Sequence, residues 1–447
     1  MKLTTMAWVL IGAAGLLGAG CSRASHHVYT TIPDLDAATQ LQRFVSDKEA
    51  QSNTATNETI PEFAAFFAAA RTGDWPAVSN AFLAFRNRSA VYGTRWEAVK
   101  EVWGAFDAFG EGSPKYAATF GRDIANSIPD GSIYFGGTDP GRFVVTAMCR
   151  SQVNGDPFYV LTQNAMADGS YLDYIRNMYG DKLHLPTADD SSRCFQEYTA
   201  DLKQRADKHQ LRPGEDYHLD NQGKVQVQGH IAVMEINALI VKTIVDQNPG
   251  HEFYVEESFP LDWMYPCLEP HGLIFKLNPQ PLTSLSDDVV SADHEYWSKY
   301  VQPMIGGWLS DDTSVKDVAA FAAKTFGRHD YSGFTGDREY VENEYAHRSF
   351  SKLRSSIAGV YGWRTEHATG AGQDRMAREA DFAFRQAWAL CPDSPEAIFR
   401  YVNFLMQQKR PVDAMVVAQA ALDLSKPGSD GTLRALVEQL KKYQNKN

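Results

Sequence analysis

Five cysteines in 447 residues, at positions 21, 149, 194, 267 and 391, include no CxxC pair. That spacing argues against metal knuckles and dithiol redox motifs. No run of five or more Lys or Arg occurs, and the formal net charge is −12. An acidic chain without a basic stripe lacks what phosphate backbones require, so no nucleic-acid partner is expected. HExxH, GxSxG, the dinucleotide GxGxxG and the P-loop are also missing. His26-His27 lies in a polar tether, and His271, His294 and His329 have no neighbour at ligand spacing. No metal and no cofactor is therefore assigned. Past residue 19, no apolar run is long enough to span a bilayer. What remains is ordinary globular composition, 44% hydrophobic and 22% charged, at a length that suits two or three domains.

The first twenty residues read as a processing segment. Lys2 supplies the charge, Met6 to Ala19 the apolar stretch, and small residues follow. Leu17-Gly18-Ala19-Gly20-Cys21 resembles a bacterial lipoprotein box. The resemblance implies cleavage before Cys21, acylation of its thiol, and a protein anchored to a membrane by lipid rather than spanning it. Ser22 after the cysteine implies the periplasmic face of a Gram-negative outer membrane. A plain secretory signal is the alternative. In an oxidising compartment Cys149, Cys194, Cys267 and Cys391 could pair in three ways, or stay as buried free thiols.

Polar residues dominate 21–58, which reads as a tether. The segment 59–110 reads as a helical hairpin. Phe63, Phe66, Phe67 and Ala70 share one helical face, Gly73-Asp74-Trp75-Pro76 breaks the run, and Val78, Phe82 and Phe85 begin the next. From 115 to 285 short β-rich runs alternate with helical patterns. Strands are expected at 132–137, 158–164, 252–258 and 273–278, with helices near 140–152, 171–179, 189–209, 231–247 and 262–268. That alternation predicts an α/β core with a mainly parallel sheet and helices on both faces. A small hairpin is expected around Asn221-Gln222-Gly223. Residues 286–372 read as a helical connector with a loop at 365–373.

The segment 373–447 repeats at a spacing of 34. Ala380 returns as Ala414, Ala387 as Ala421 and Leu390 as Leu424. Small residues at this period, with Pro392 closing a helix, match the tetratricopeptide pattern. Such hairpins bury their apolar faces by stacking and leave a groove for a protein partner. Arg400, Asn403 and Gln407 lie on one candidate face of the first helix of the complete repeat, either facing a partner peptide or simply solvated. Leu433, Leu436 and Leu440 suit a capping helix.

Gly136-Gly137-Thr138-Asp139-Pro140-Gly141-Arg142 stands where a strand should end and a helix begin. Thr138 or Asp139 can cap that helix, Pro140 fits its first turn, and the N–H groups there favour an anion. Asn164, Asp168 and Tyr171 follow the second strand. Glu256 and Glu257 follow the third, then Asp262. In a parallel sheet these residues share one edge, where ligands collect. Carboxylates, amides and aromatics together suit a glycan. Asp139 with Glu256 or Glu257 could also serve as an acid–base pair for glycoside chemistry. Helix capping is the plainer role for the same residues. The Trp and Tyr residues at 296–308 read as core.

The order of these strand motifs resembles the extracytoplasmic part of bacterial membrane proteins related to protein O-mannosyltransferases. The matching elements are Gly136-Gly137-Thr138-Asp139, then Asn164 to Tyr171, then Leu268-Glu269-Pro270 before Gly272-Leu273. Thr138 and Pro140 stand where that family carries acidic residues. The resemblance implies an α/β fold over roughly 125–280 and a substrate-side binding role, but not transferase activity. The expected protein is a lipid-anchored envelope component that binds a glycan or polypeptide and docks a partner through its repeats. A carbohydrate-active enzyme and a purely structural protein are the alternatives.

Overall fold

A computed structural model describes residues 36–53, 60–149, 157–212, 215–220, 225–256, 263–425 and 431–444. The signal segment, Cys21, the Asn221–Gly223 turn, Glu257 and Asp262 lie outside the described residues.

The chain begins with helices α1 (Ala37–Asn53), α2 (Pro61–Thr72), α3 (Trp75–Phe85), the short α4 (Ser89–Tyr92), α5 (Arg95–Gly110) and α6 (Pro114–Ser127). The α2–α3 hairpin forms where its punctuation says it should. Gly73 takes a left-handed φ of 72° to end α2, and the Asp74 side chain caps α3 by accepting from the Ala77 N–H. Its aromatic faces pack on α5, with the Phe82 and Trp103 rings stacked at 4.5 Å. Each Phe buried there contributes roughly 1.5–3 kcal/mol.

Helix α1 corrects part of the tether reading. Leu41, Phe44 and Val45 are buried, and so are Gln40, Lys48 and Ser52. Lys48 has no exposure and meets Glu101 of α5 at 2.5 Å and the Tyr174 hydroxyl at 2.8 Å. Three apolar residues make a thin stripe. The remaining anchoring comes from polar partners far along the chain.

The middle of the chain supplies β1 (Ile133–Gly136), a π-helical turn (Pro140–Val144) continuing as α7 (Val145–Met148), β2 (Tyr159–Thr162), α8 (Gly169–Tyr179) and α9 (Ala188–Asp207). It continues with β3 (Asp216–Leu219), β4 (Val225–Gln228), α10 (His230–Gln247), β5 (Phe253–Val255), β6 (Leu268–His271) and β7 (Ile274–Leu277). The five-stranded sheet has the order β2-β1-β5-β7-β6, while β3 and β4 form a separate antiparallel hairpin. β1 runs parallel to β2 and β5, but β5–β7 and β7–β6 are antiparallel. The sheet is therefore mixed rather than mainly parallel. β6 occupies a stretch whose start read as helical, and Gly272 (φ 60°) turns it directly into β7.

The rest is helical: α11 (Asp287–Tyr300), α12 (Gln302–Ile305), α13 (Val315–Ala322), α14 (Arg338–Glu342), α15 (Glu344–His367), α16 (Gly370–Leu390), α17 (Pro395–Gln407), α18 (Pro411–Leu424) and α19 (Gly431–Gln444). The loop expected at 365–373 shrinks to Ala368-Thr369, so α15 and α16 form one long antiparallel pair. Each later helix packs on its predecessor. Ala380, Ala387, Ala414 and Ala421 are fully buried, as close helix–helix approach requires. The long helix α15 also ties this region to the sheet domain. Arg354 reaches Asp293 of α11 at 2.8 Å, and Arg364 donates to the Leu282 and Pro266 carbonyls. No described helix is long and apolar enough to cross a membrane.

Candidate functional site

The turn after β1 is built around a carboxylate from β5. The parallel register pairs Phe135 with Val255, and the Glu256 N–H extends the ladder by donating to the Phe135 carbonyl at 3.0 Å. The Glu256 side chain is then delivered to the Gly-Gly-Thr turn with 1% exposure. Its Oε2 accepts the N–H groups of Gly137 (2.9 Å) and Thr138 (2.7 Å), and its Oε1 accepts the Thr138 hydroxyl. The Thr138 oxygen in turn accepts the Gly141 N–H at 3.0 Å. Burial pushes the Glu256 carboxyl up from its ordinary pKa, opposed by these donors and by the charge of Lys352. A Cβ on Gly141 would fall 1.6 Å from Oε2, so glycine is required there. This is the anion cradle the sequence suggests, filled by the chain's own carboxylate.

Of the neighbouring candidates, Asn164 supports this turn directly. Asp139 is exposed on the turn. Arg142 lies 4.0 Å from the Phe143 ring, and its Nε is buried without a partner. Asn164 donates to the Gly137 carbonyl at 2.8 Å. Asp168 caps α8 by accepting the Ser170 N–H at 2.9 Å. The buried Tyr171 hydroxyl accepts the Thr162 N–H at 2.7 Å. Thr138, Asn164 and Glu256 thus meet around Gly137, while Asp168 serves its own helix. The pocket beside Pro140 holds about 10 Å³, at the threshold for a single water.

A larger cleft, about 420 Å³, opens between α6, α11 and α12. It is lined by Lys115, Tyr116, Thr119, Tyr296, Lys299, Tyr300, Pro303 and Met304. Tyr296 and Tyr300 are one helical turn apart, and their rings stack at 5.2 Å and 16°. Trp297 between them points to the core with no exposure, which turns its neighbours to the flank. Trp297 is thus in the core, while Tyr296, Tyr300 and Trp308 pack against the core partly buried, and the two tyrosines also line the cleft. The Tyr300 hydroxyl donates to Asp123 at 2.6 Å and that of Tyr116 to Asp337 at 2.7 Å. Burial pushes all three phenols up, so they stay neutral donors at physiological pH. Lys115 is paired with Asp337 and Lys299 with Glu295. The cleft therefore offers aromatic surface and hydroxyls rather than net charge.

On α17, Asn403 and Gln407 are exposed. Arg400 instead reaches back to the Ser355 carbonyl (3.4 Å) and the Ser356 hydroxyl (3.3 Å) on α15. The four cysteines at 149, 194, 267 and 391 are all buried, and none is in a disulfide. One of them joins the group of metal-ligating type found among the described residues: His347, Cys391 and Asp393, with ligand atoms within 4.8 Å of one another. A separation of 44 residues between the histidine and the cysteine hides this group from any spacing rule.

No family model matches this chain, and no curated protein or solved structure matches it either.

Proposed function

We propose that this protein binds an uncharged glycan segment in the Tyr116–Tyr296–Tyr300 cleft and acts as a docking component of the bacterial cell envelope. The observation that carries the reading is the tyrosine pair on α11 in a cleft of about 420 Å³. Sugar C–H faces stack on phenol rings while hydroxyls exchange hydrogen bonds with Tyr and Thr, and both partner types are present. The paired lysines disfavour a strongly anionic ligand, since binding one would mean breaking Lys115–Asp337 or Lys299–Glu295. Calorimetric titration with neutral oligosaccharides tests this. Binding lost in Tyr296→Ala, with an unchanged melting temperature, supports it. Binding unaffected by that change rejects it.

The address rests on the sequence Leu17-Gly18-Ala19-Gly20-Cys21. Fatty-acid labelling that survives Cys21→Ala would remove the lipid anchor from the proposal. The α16–α19 stack, read as tetratricopeptide-like, is assigned the docking role, with Asn403 and Gln407 as its exposed polar face. The likeness to the O-mannosyltransferase-related domain extends in this reading to the three parallel strands, with helices α8–α10 beside them. The rival enzyme reading, with Asp139 and Glu256 as acid and base, is weakened by the donors that already occupy Glu256.

A further inference from the structure

The start of α15 and the end of α16 carry a cluster that neither the sheet-edge turn nor the tyrosine cleft uses. The two helices pack antiparallel with a two-residue turn between them, which brings their far ends side by side. His347 lies in the first turn of α15, and Cys391 closes α16 as its C-cap. His347 Nδ1 is 3.0 Å from Cys391 Sγ, and that sulfur is 3.1 Å from Asp393 Oδ1. The imidazole is 6% exposed and the thiol 0%, whereas Asp393 is half-buried at the mouth. Arg348, also paired with Glu344, stands 3.9 Å from the other Asp393 oxygen, Oδ2, and leaves Oδ1 to the cluster.

A second observation bears on the same spot. Tyr340 of α14 is fully buried, yet its hydroxyl has no hydrogen-bond partner. Its ring meets that of His347 edge-on at 6.4 Å. A buried hydroxyl without a partner is costly unless something completes it.

We propose that His347, Cys391 and Asp393 form a binding site for a zinc-class divalent cation. One imidazole nitrogen, one thiolate and one carboxylate are a borderline-soft set, suited to Zn²⁺ and not to Mg²⁺ or Ca²⁺, which prefer oxygen alone. In a tetrahedral zinc site the nitrogen and sulfur lie about 3.5 Å apart. The observed 3.0 Å is the hydrogen-bonded spacing, and a few tenths of an ångström of opening admits the ion. On binding, the Cys391 S–H bond breaks, its proton leaves to solvent, and the sulfur lone pair goes to the metal. The 2+ charge is then balanced by one thiolate and one carboxylate, and water fills the fourth position from the Asp393 side.

Titration of the purified chain with Co²⁺ tests this, because thiolate ligation gives a near-ultraviolet charge-transfer band. The band is expected to saturate at one ion per chain, to disappear on adding Zn²⁺, and to be absent in Cys391→Ser. No band, or the same band in Cys391→Ser, overturns the proposal. If Cys391→Ser fails to fold, Asp393→Asn at the half-exposed mouth decides. A Co²⁺ affinity weakened about tenfold or more supports the site, and an unchanged affinity overturns it.

Discussion

Replacing Glu256 separates a structural carboxylate from a chemical one. In Glu256→Leu the side-chain volume is roughly kept, but the Gly137 and Thr138 N–H groups and the Thr138 hydroxyl lose their acceptor. Gly137 is buried and Thr138 half-buried, so water replaces that acceptor poorly. Each orphaned buried donor costs about 1–3 kcal/mol, and two or three of them cost about 3–6 kcal/mol in all. In Glu256→Gln the amide oxygen can still accept both backbone N–H groups, while the Thr138 hydroxyl turns to accept from the amide nitrogen. That variant should lose only about 1–2 kcal/mol, the difference between charged and neutral hydrogen bonds. With an unfolding entropy near 2 cal/mol/K per residue, a chain of this size converts each kcal/mol into roughly 1 °C of melting temperature. Scanning calorimetry should therefore place Glu256→Leu about 3–6 °C below the parent and Glu256→Gln within about 2 °C of it. A Leu variant that melts with the parent, or a Gln variant as damaged as Leu, would refute the acceptor role.

Two further outcomes follow from other contacts. Lys48→Met should destabilise the protein by about 3–5 kcal/mol, because it strands Glu101 without its buried partner. Adding Glu101→Leu should recover much of that loss in denaturant melts, and no recovery would sink the ion-pair account. The hydrogen bond from His294 to Glu379, helped by the charge of Asp311, raises the His294 pKa above 6.5. A raised pKa means the folded state holds this proton more tightly than the unfolded chain. The stabilisation is full below about pH 6.5 and fades as pH rises through the folded value. Melting temperatures of parent and His294→Gln should therefore converge toward alkaline pH, and a constant gap would contradict the assignment.

Local signals were legible where local chemistry decides. The apolar runs of β1, β2, β5 and β7, the Gly73-Asp74 punctuation and the alanine repeat all emerge at their places. What escaped depends on partners distant in sequence. α1 is held by Lys48 on Glu101 and Tyr174, contacts spanning more than half a hundred residues. β6 carries Glu269 and Pro270 and becomes a strand by pairing with β7 across the Gly272 turn. The antiparallel half of the sheet follows from that hairpin. At the sheet edge, the turn's anion preference was readable, but not that Glu256 of another strand satisfies it. Likewise the tyrosine cleft needs α6 beside α11, and the His347–Cys391 meeting needs the α15–α16 pair.

Hydrogen–deuterium exchange by segment, with and without a saturating neutral oligosaccharide, tests the central claim most directly. The expected result is slower exchange in peptides covering 114–120 and 293–304, with the 136–142 turn unchanged. Protection at 136–142, or no protection anywhere in the chain, would contradict it.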